Sequence, residues 1–190
     1  MEIRVRDTGQ VMYEDEFRAL HPSTSFPPQL TVELLNDFGA DPVLEGPQAT
    51  GGEFWQYSMR QGVERDGEGR WFTKYVLGPI FSDPAEQAAY IAQKTAEKNK
   101  ALQESIVAAA QKRLDDFAQT RNYDDIKSAC DYAGCSVQKF SVEGQYCKDK
   151  RAETWLKLYQ MLGEVEAGTR PMPTSFADVE PELPALEWPL

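Results

Sequence analysis

The chain holds little of what most enzyme active sites are made from. Its 190 residues include one histidine, His21, and three cysteines, Cys130, Cys135 and Cys147. A Cys–His nucleophilic pair needs the two side chains within hydrogen-bond reach. His21 precedes Pro22 in a predicted loop, far along the chain from every thiol. Structural zinc asks for four ligands, usually in close Cys pairs. Cys130 and Cys135 stand apart from a lone Cys147, and no nearby histidine completes a set. The cysteines therefore read as small apolar residues between helices. Gly51-Gly52 and Gly67-Glu68-Gly69 lack the lysine or following helix of a phosphate-binding loop. The neighbouring carboxylates Asp115-Asp116 and Asp124-Asp125 read as helix solvation and helix-start charge. No catalytic residue, cofactor or metal is expected.

Basic residues are also scarce. Lys and Arg number 20 against 31 Asp and Glu, a net charge of −11. Both halves of the chain are acidic, which excludes a phosphate-neutralising surface as the main function, so no nucleic-acid partner is expected. No run approaches the roughly 18 apolar residues of a membrane span. Met1 is followed by Glu-Ile-Arg-Val-Arg, with no apolar leader. The expected compartment is a cytosol in which the thiols stay reduced.

What is present falls into three parts. Residues 1–81 read as β-rich. Ile3 and Val5 alternate with arginines at strand period, and Asp7-Thr8-Gly9-Gln10 has turn chemistry. Val11, Tyr13 and Phe17 then fall on odd positions, which predicts a first hairpin. Residues 31–38 (TVELLNDF) read as a short helix ending at Gly39 or as a bulged strand, with the helix favoured. A second hairpin joins residues 54–64 to 70–77 around Asp66-Gly67, a favoured tight-turn pair. Both faces of its second arm carry apolar groups: Trp71, Tyr75 and Leu77 on one, Phe72 and Val76 on the other.

At Ser82-Asp83-Pro84 the pattern changes. Ser82 or Asp83 suits a helix cap and Pro84 the first helical position. From about 84 to 120 no glycine and no further proline intervenes. That predicts a helix of roughly 55 Å at 1.5 Å per residue. Its apolar stripe is thin, the pattern of a helix that meets copies of itself. Helices are predicted at about 123–133 and 142–167, the latter with Trp155 on its apolar face. Residues 82–170 thus form a helical domain, with self-association through it expected.

Residues 171–190 hold five of the twelve prolines and predict an extended arm. The arm carries Phe176, Leu183, Leu186 and Trp188, groups that a free tail normally lacks. It docks either on the chain's own helices or on a neighbour. The expected fold is α+β: an N-terminal antiparallel β-rich, sandwich-like domain, then a C-terminal α-helical domain with a long linking helix.

Two long stretches carry a family resemblance. The opening RDTGQVMYEDEFRALHPSTSFP, with LLNDFGADPVLEGPQA and GRWFTKYVL, resembles the N-terminal part of small proteins encoded beside tailed-phage fibres. The segment from YDDIKSACDYAGCSVQKF to PELPALEWP resembles the helical module that ends the same proteins. The group is similar to bacteriophage tail-fibre assembly chaperones. The resemblance implies a non-enzymatic helper that protects the distal part of a trimeric fibre and promotes its trimerisation in the cytoplasm of the infected host. Three chaperones per fibre trimer are expected from symmetry matching. The competing expectation is a permanent structural component of a tail or baseplate. Partner contact is expected at Phe54, Trp55, Trp71, Phe72, Phe176, Leu183, Leu186 and Trp188.

Overall fold

The structure, a computed structural model, describes residues 1–189. The chain divides into two compact units, Met1–Ala92 and Gln93–Leu190. The division falls inside the long helix, eleven residues beyond the expected boundary at 81.

The first unit is built on one five-stranded sheet. Its strands are β1 (Glu2–Val5), β2 (Val11–Tyr13), β3 (Ala40–Leu44), β4 (Tyr57–Arg65) and β5 (Trp71–Gly78), in the order β2-β1-β3-β5-β4. The two expected hairpins form, β1 with β2 and β4 with β5, both antiparallel. Gly9, at φ 71°, closes the first turn. The sheet is mixed, however, because β3 and β5 pair in parallel, Val43 opposite Trp71 and Leu44 opposite Phe72. This corrects the antiparallel sandwich expected from the sequence. β3 lies between β1 and β5, and the second hairpin places β4 at the edge.

Helices α1 (Glu14–Ala19) and α2 (Val32–Asp37) belong to the same unit. Phe17, expected on a strand, lies on α1 instead. Three acids open that helix, and the Glu16 carboxylate accepts from the Tyr13 N–H at 2.9 Å, so local capping overrides strand period. Phe17 is buried with Ile3, Met12, Leu30 and Leu35. His21 joins this layer, its ring centroid 5.0 Å from those of Phe17 and Phe38. α2 forms where expected, with the Thr31 hydroxyl accepting from the Leu34 N–H.

The register puts Arg4, Val43, Trp71 and Arg65 on one sheet face. There the Arg4 guanidinium stacks 4.1 Å from the Trp71 ring centre and helps cover Val43, which is buried. Arg60 grips Glu2 with two hydrogen bonds of 2.5 and 2.6 Å. Arg6 and Asp41 pair at 2.6 Å, which holds the Asp41 carboxyl below its usual range.

α3 (Pro84–Gln119) starts as its sequence dictates, with Asp83 accepting from the Ala85 N–H at 2.8 Å. In the second unit its later turns pack on α4 (Ile126–Cys130) and α5 (Gln138–Glu166). α4 is shorter than expected and is closed at its start by an Asp125–Ser128 capping box. The first core of this unit joins Leu114 and Ala118 of α3, Ile126 and Ala129 of α4, and Cys147 of α5. The second joins Ile106, Met161 and Val179. α3 and α5 therefore run antiparallel, since Leu114 shares the first core with Cys147 while Ile106 shares the second with Met161. No helix among the described residues is long and apolar enough to cross a membrane.

Candidate functional site

The arm after α5 is not an extended strand. It makes two 3-10 turns, Phe176–Asp178 and Glu180–Glu182, and folds onto α3 and α5. Pro181 sits at the start of the second turn, where its fixed φ and missing N–H are compatible with helical geometry. Three basic residues hold the segment. Arg170 bonds Glu182 at 2.5 and 3.1 Å, Lys157 lies 3.4 Å from the same carboxylate, and Arg113 donates to the Pro184 carbonyl at 3.0 Å.

At its end Trp188 enters an aromatic box of Phe117, Tyr123 and Tyr146. Its indole N–H donates to the Thr120 hydroxyl at 2.8 Å, and the Glu187 N–H donates to the Tyr146 oxygen at 2.7 Å. Arg121 stacks 4.8 Å from the Trp188 ring centre and also pairs with Glu143, which is almost fully buried. Tyr123 donates to the second Glu143 oxygen at 2.8 Å. Burial first, and then this carboxylate, push the Tyr123 phenol well above its ordinary pKa.

The four arm residues expected to meet a partner thus pack within the chain's own second unit. Leu183 is buried, Phe176 joins the Ile106 core, and Leu186 and Trp188 join the Leu114 core. The other four lie in the first unit. Phe54 is exposed, Trp55 packs near Phe81 and Tyr90, Trp71 sits under Arg4, and Phe72 lies 5.5 Å from the Arg70 guanidinium.

The arm's fold leaves an open groove of about 870 Å³ in the second unit. Ile106, Met161 and Val179 form its floor. Trp155, Tyr159 and Leu162 of α5 make one wall, Gln103 and Val107 of α3 the other, and Met172 and Pro173 close part of it. Tyr159 is 71% exposed and Met172 46%. Apolar groups that line one groove together, rather than standing singly, mark a candidate contact surface. The α5 stripe was visible in the sequence, but as a core face. Its width was the signal: Trp155, Leu158, Tyr159, Leu162 and Val165 exceed what one antiparallel neighbour covers.

The polar rim is mainly cationic. Lys100, Arg151 and Arg170 stand against Glu166. Arg170 is tied to Glu182 and Glu164, and Lys100 lies 3.9 Å from an exposed Glu104. Arg151 is exposed and outside every ion pair among the described residues.

Chemistry is sparse by comparison. Among the described residues, no three of His, Cys, Asp and Glu gather to hold a metal. All three cysteines are free thiols. Cys147 is fully buried, and burial pushes its thiol up to about 12, leaving it protonated and unreactive at neutral pH. Comparison of the chain with family models, curated proteins and solved structures finds no match.

Proposed function

We propose that this chain is a binding protein without catalysis, an assembly chaperone that holds apolar surface of a phage tail-fibre protein while the fibre trimerises. The observation that carries this reading is the open apolar groove of the second unit, with Tyr159 and Met172 exposed in a chain of net charge −11. The resemblance of both ends of the sequence to fibre-assembly chaperones supplies the partner. Intertwined β-fibres have few local contacts and exposed strand edges, so they fold slowly and aggregate. A helper that holds an apolar segment of the fibre chain until the trimer forms needs no nucleotide. It works in the cytoplasm of the infected host, three copies to one fibre trimer.

Co-expression with the fibre protein encoded beside it is the test. Fibre made alone is expected in the insoluble fraction. Fibre made with this chain is expected as soluble trimer, with a complex mass of three chaperones per trimer. Equal yields of soluble trimer with and without the chain would dispose of the reading.

A further inference from the structure

We propose that the groove receives an amphipathic α-helix of the partner polypeptide, about three turns long, with a carboxylate at the end of its buried stripe that meets Arg151. The proposal deepens the chaperone reading and rests on it for the source of the helix.

Spacing is the first observation. Trp155, Leu158, Tyr159 and Leu162 recur at i, i+3, i+4 and i+7 on α5, while Gln103, Ile106 and Val107 recur at i, i+3 and i+4 on α3. Two helices with open ridges along one cleft accept a third helix by interdigitation. An extended strand is a poor fit. Its N–H and C=O groups would face side-chain walls with nothing to pair with, whereas a helix satisfies its own backbone.

Length is the second. The α3 wall runs from Ala96 to Val107, about 16 Å along the axis, or three turns.

Charge is the third. α3 and α5 are antiparallel, so Lys100 and Arg151 stand toward opposite ends of the cleft. Both are exposed, and Arg151 has no carboxylate of its own. Lys100 has Glu104 at 3.9 Å and Glu166 on the same rim, so Arg151 is the cation left to select: it favours a helix with an acid at its end of the trough and rejects one with a lysine there.

The test uses the full chain and two synthetic labelled peptides of about fifteen residues, long enough to cover three turns. Both carry leucines at i, i+3, i+4, i+7 and i+11; one has glutamates flanking the stripe at each end, the other lysines. By fluorescence anisotropy, the glutamate peptide is expected to bind at least about tenfold more tightly. Arg151→Glu is expected to remove or invert that preference. Tyr159→Glu, at an exposed position that leaves folding intact, is expected to weaken both peptides about tenfold or more. Thermal melts of both variants check that the fold is kept.

Absence of binding, equal binding of the two peptides, or indifference to Tyr159→Glu overturns the proposal. So does a concentration-dependent dimer that Tyr159→Glu abolishes, which would make a second copy the occupant. The two readings separate cleanly. If the chain solubilises fibre but shows no peptide preference, the chaperone function stands and the groove's occupant is wrong. If the peptides behave as expected but fibre solubility ignores the chain, the groove binds acidic helices and the fibre is not their source.

Discussion

The indole of Trp188 lies face to face with the ring of Phe117, centroids 4.3 Å apart and planes 17° from parallel. That stack ends a segment held by Arg170, Lys157 and Arg113 and contributing buried Val179 and Leu183 to the unit's interior. The arm is therefore part of the folded unit. Trp188→Ala removes the stack, the Arg121 contact and the bond to Thr120. It is expected to lower stability by about 2–3 kcal/mol, and the melting temperature by about 10 °C. Loss of residues 175–190 should cost more. Circular dichroism melts at 222 nm check both; a truncated chain that melts with the intact one would show that the arm packs without stabilising.

Beneath Trp188, Glu143 is buried to 3% and has two partners, Arg121 and Tyr123. A buried carboxylate that loses its cation keeps the desolvation cost without the compensation. Arg121→Met is expected to destabilise by about 3 kcal/mol. Arg121→Met combined with Glu143→Leu removes the charge as well and is expected to recover part of that loss. Chemical denaturation of the single and double variants reads the difference. A double variant less stable than Arg121→Met would mean that the pair holds the structure beyond its electrostatics.

Much of this architecture was legible because its causes are local. Asp83-Pro84 announces the start of α3, Asp66-Gly67 the second hairpin and Thr31 the start of α2; each acts within a few residues. The parallel pairing of β3 with β5 was not legible, since Val43 and Trp71 lie far apart in sequence and either orientation satisfies their apolar pattern. Phe17 misled because strand period and helix capping compete over the same six residues. In the arm, the prolines spoke for extension. Yet Pro181 fits a 3-10 turn, and Leu183 and Trp188 would be apolar whichever surface they met. The groove shows the same limit: Tyr159 and Leu158 are neighbours on one stripe, and only packing decides which is covered.

Cys147 predicts an alkaline weakness. Its thiol ordinarily titrates near 9 and is pushed up to about 12 in the fold. Between those values the unfolded chain has released this proton and the folded chain retains it. Stability from this group is complete below pH 9 and falls as pH rises toward 12. Cys147→Ala abolishes that dependence, although it leaves a small cavity that lowers stability at every pH. The drop in melting temperature from pH 8 to pH 11 is expected to be smaller in the variant than in the parent. An identical drop would assign the alkaline loss to other groups, with Tyr123 first among them.

Two glycines on α5 should respond to the same substitution with opposite signs. Alanine is intrinsically the better helix former by about 1 kcal/mol. At Gly163 an added Cβ meets nothing within 4 Å, so Gly163→Ala is expected to stabilise by about 0.5–1 kcal/mol. At Gly144 the same atom would lie 2.5 Å from the Ala133 N, 2.8 Å from the Tyr132 carbonyl carbon and 2.9 Å from the Ala129 O. All three belong to backbone, which has no rotamer to yield. α5 would have to back away from α4, opening the core around Ile126, Ala129 and Cys147. Overpacking of this kind costs about 1–3 kcal/mol, enough to outweigh the helical gain. Gly144→Ala is therefore expected to melt below the parent and Gly163→Ala above it. Two upward shifts would mean that α4 and α5 lie farther apart in solution than this packing requires.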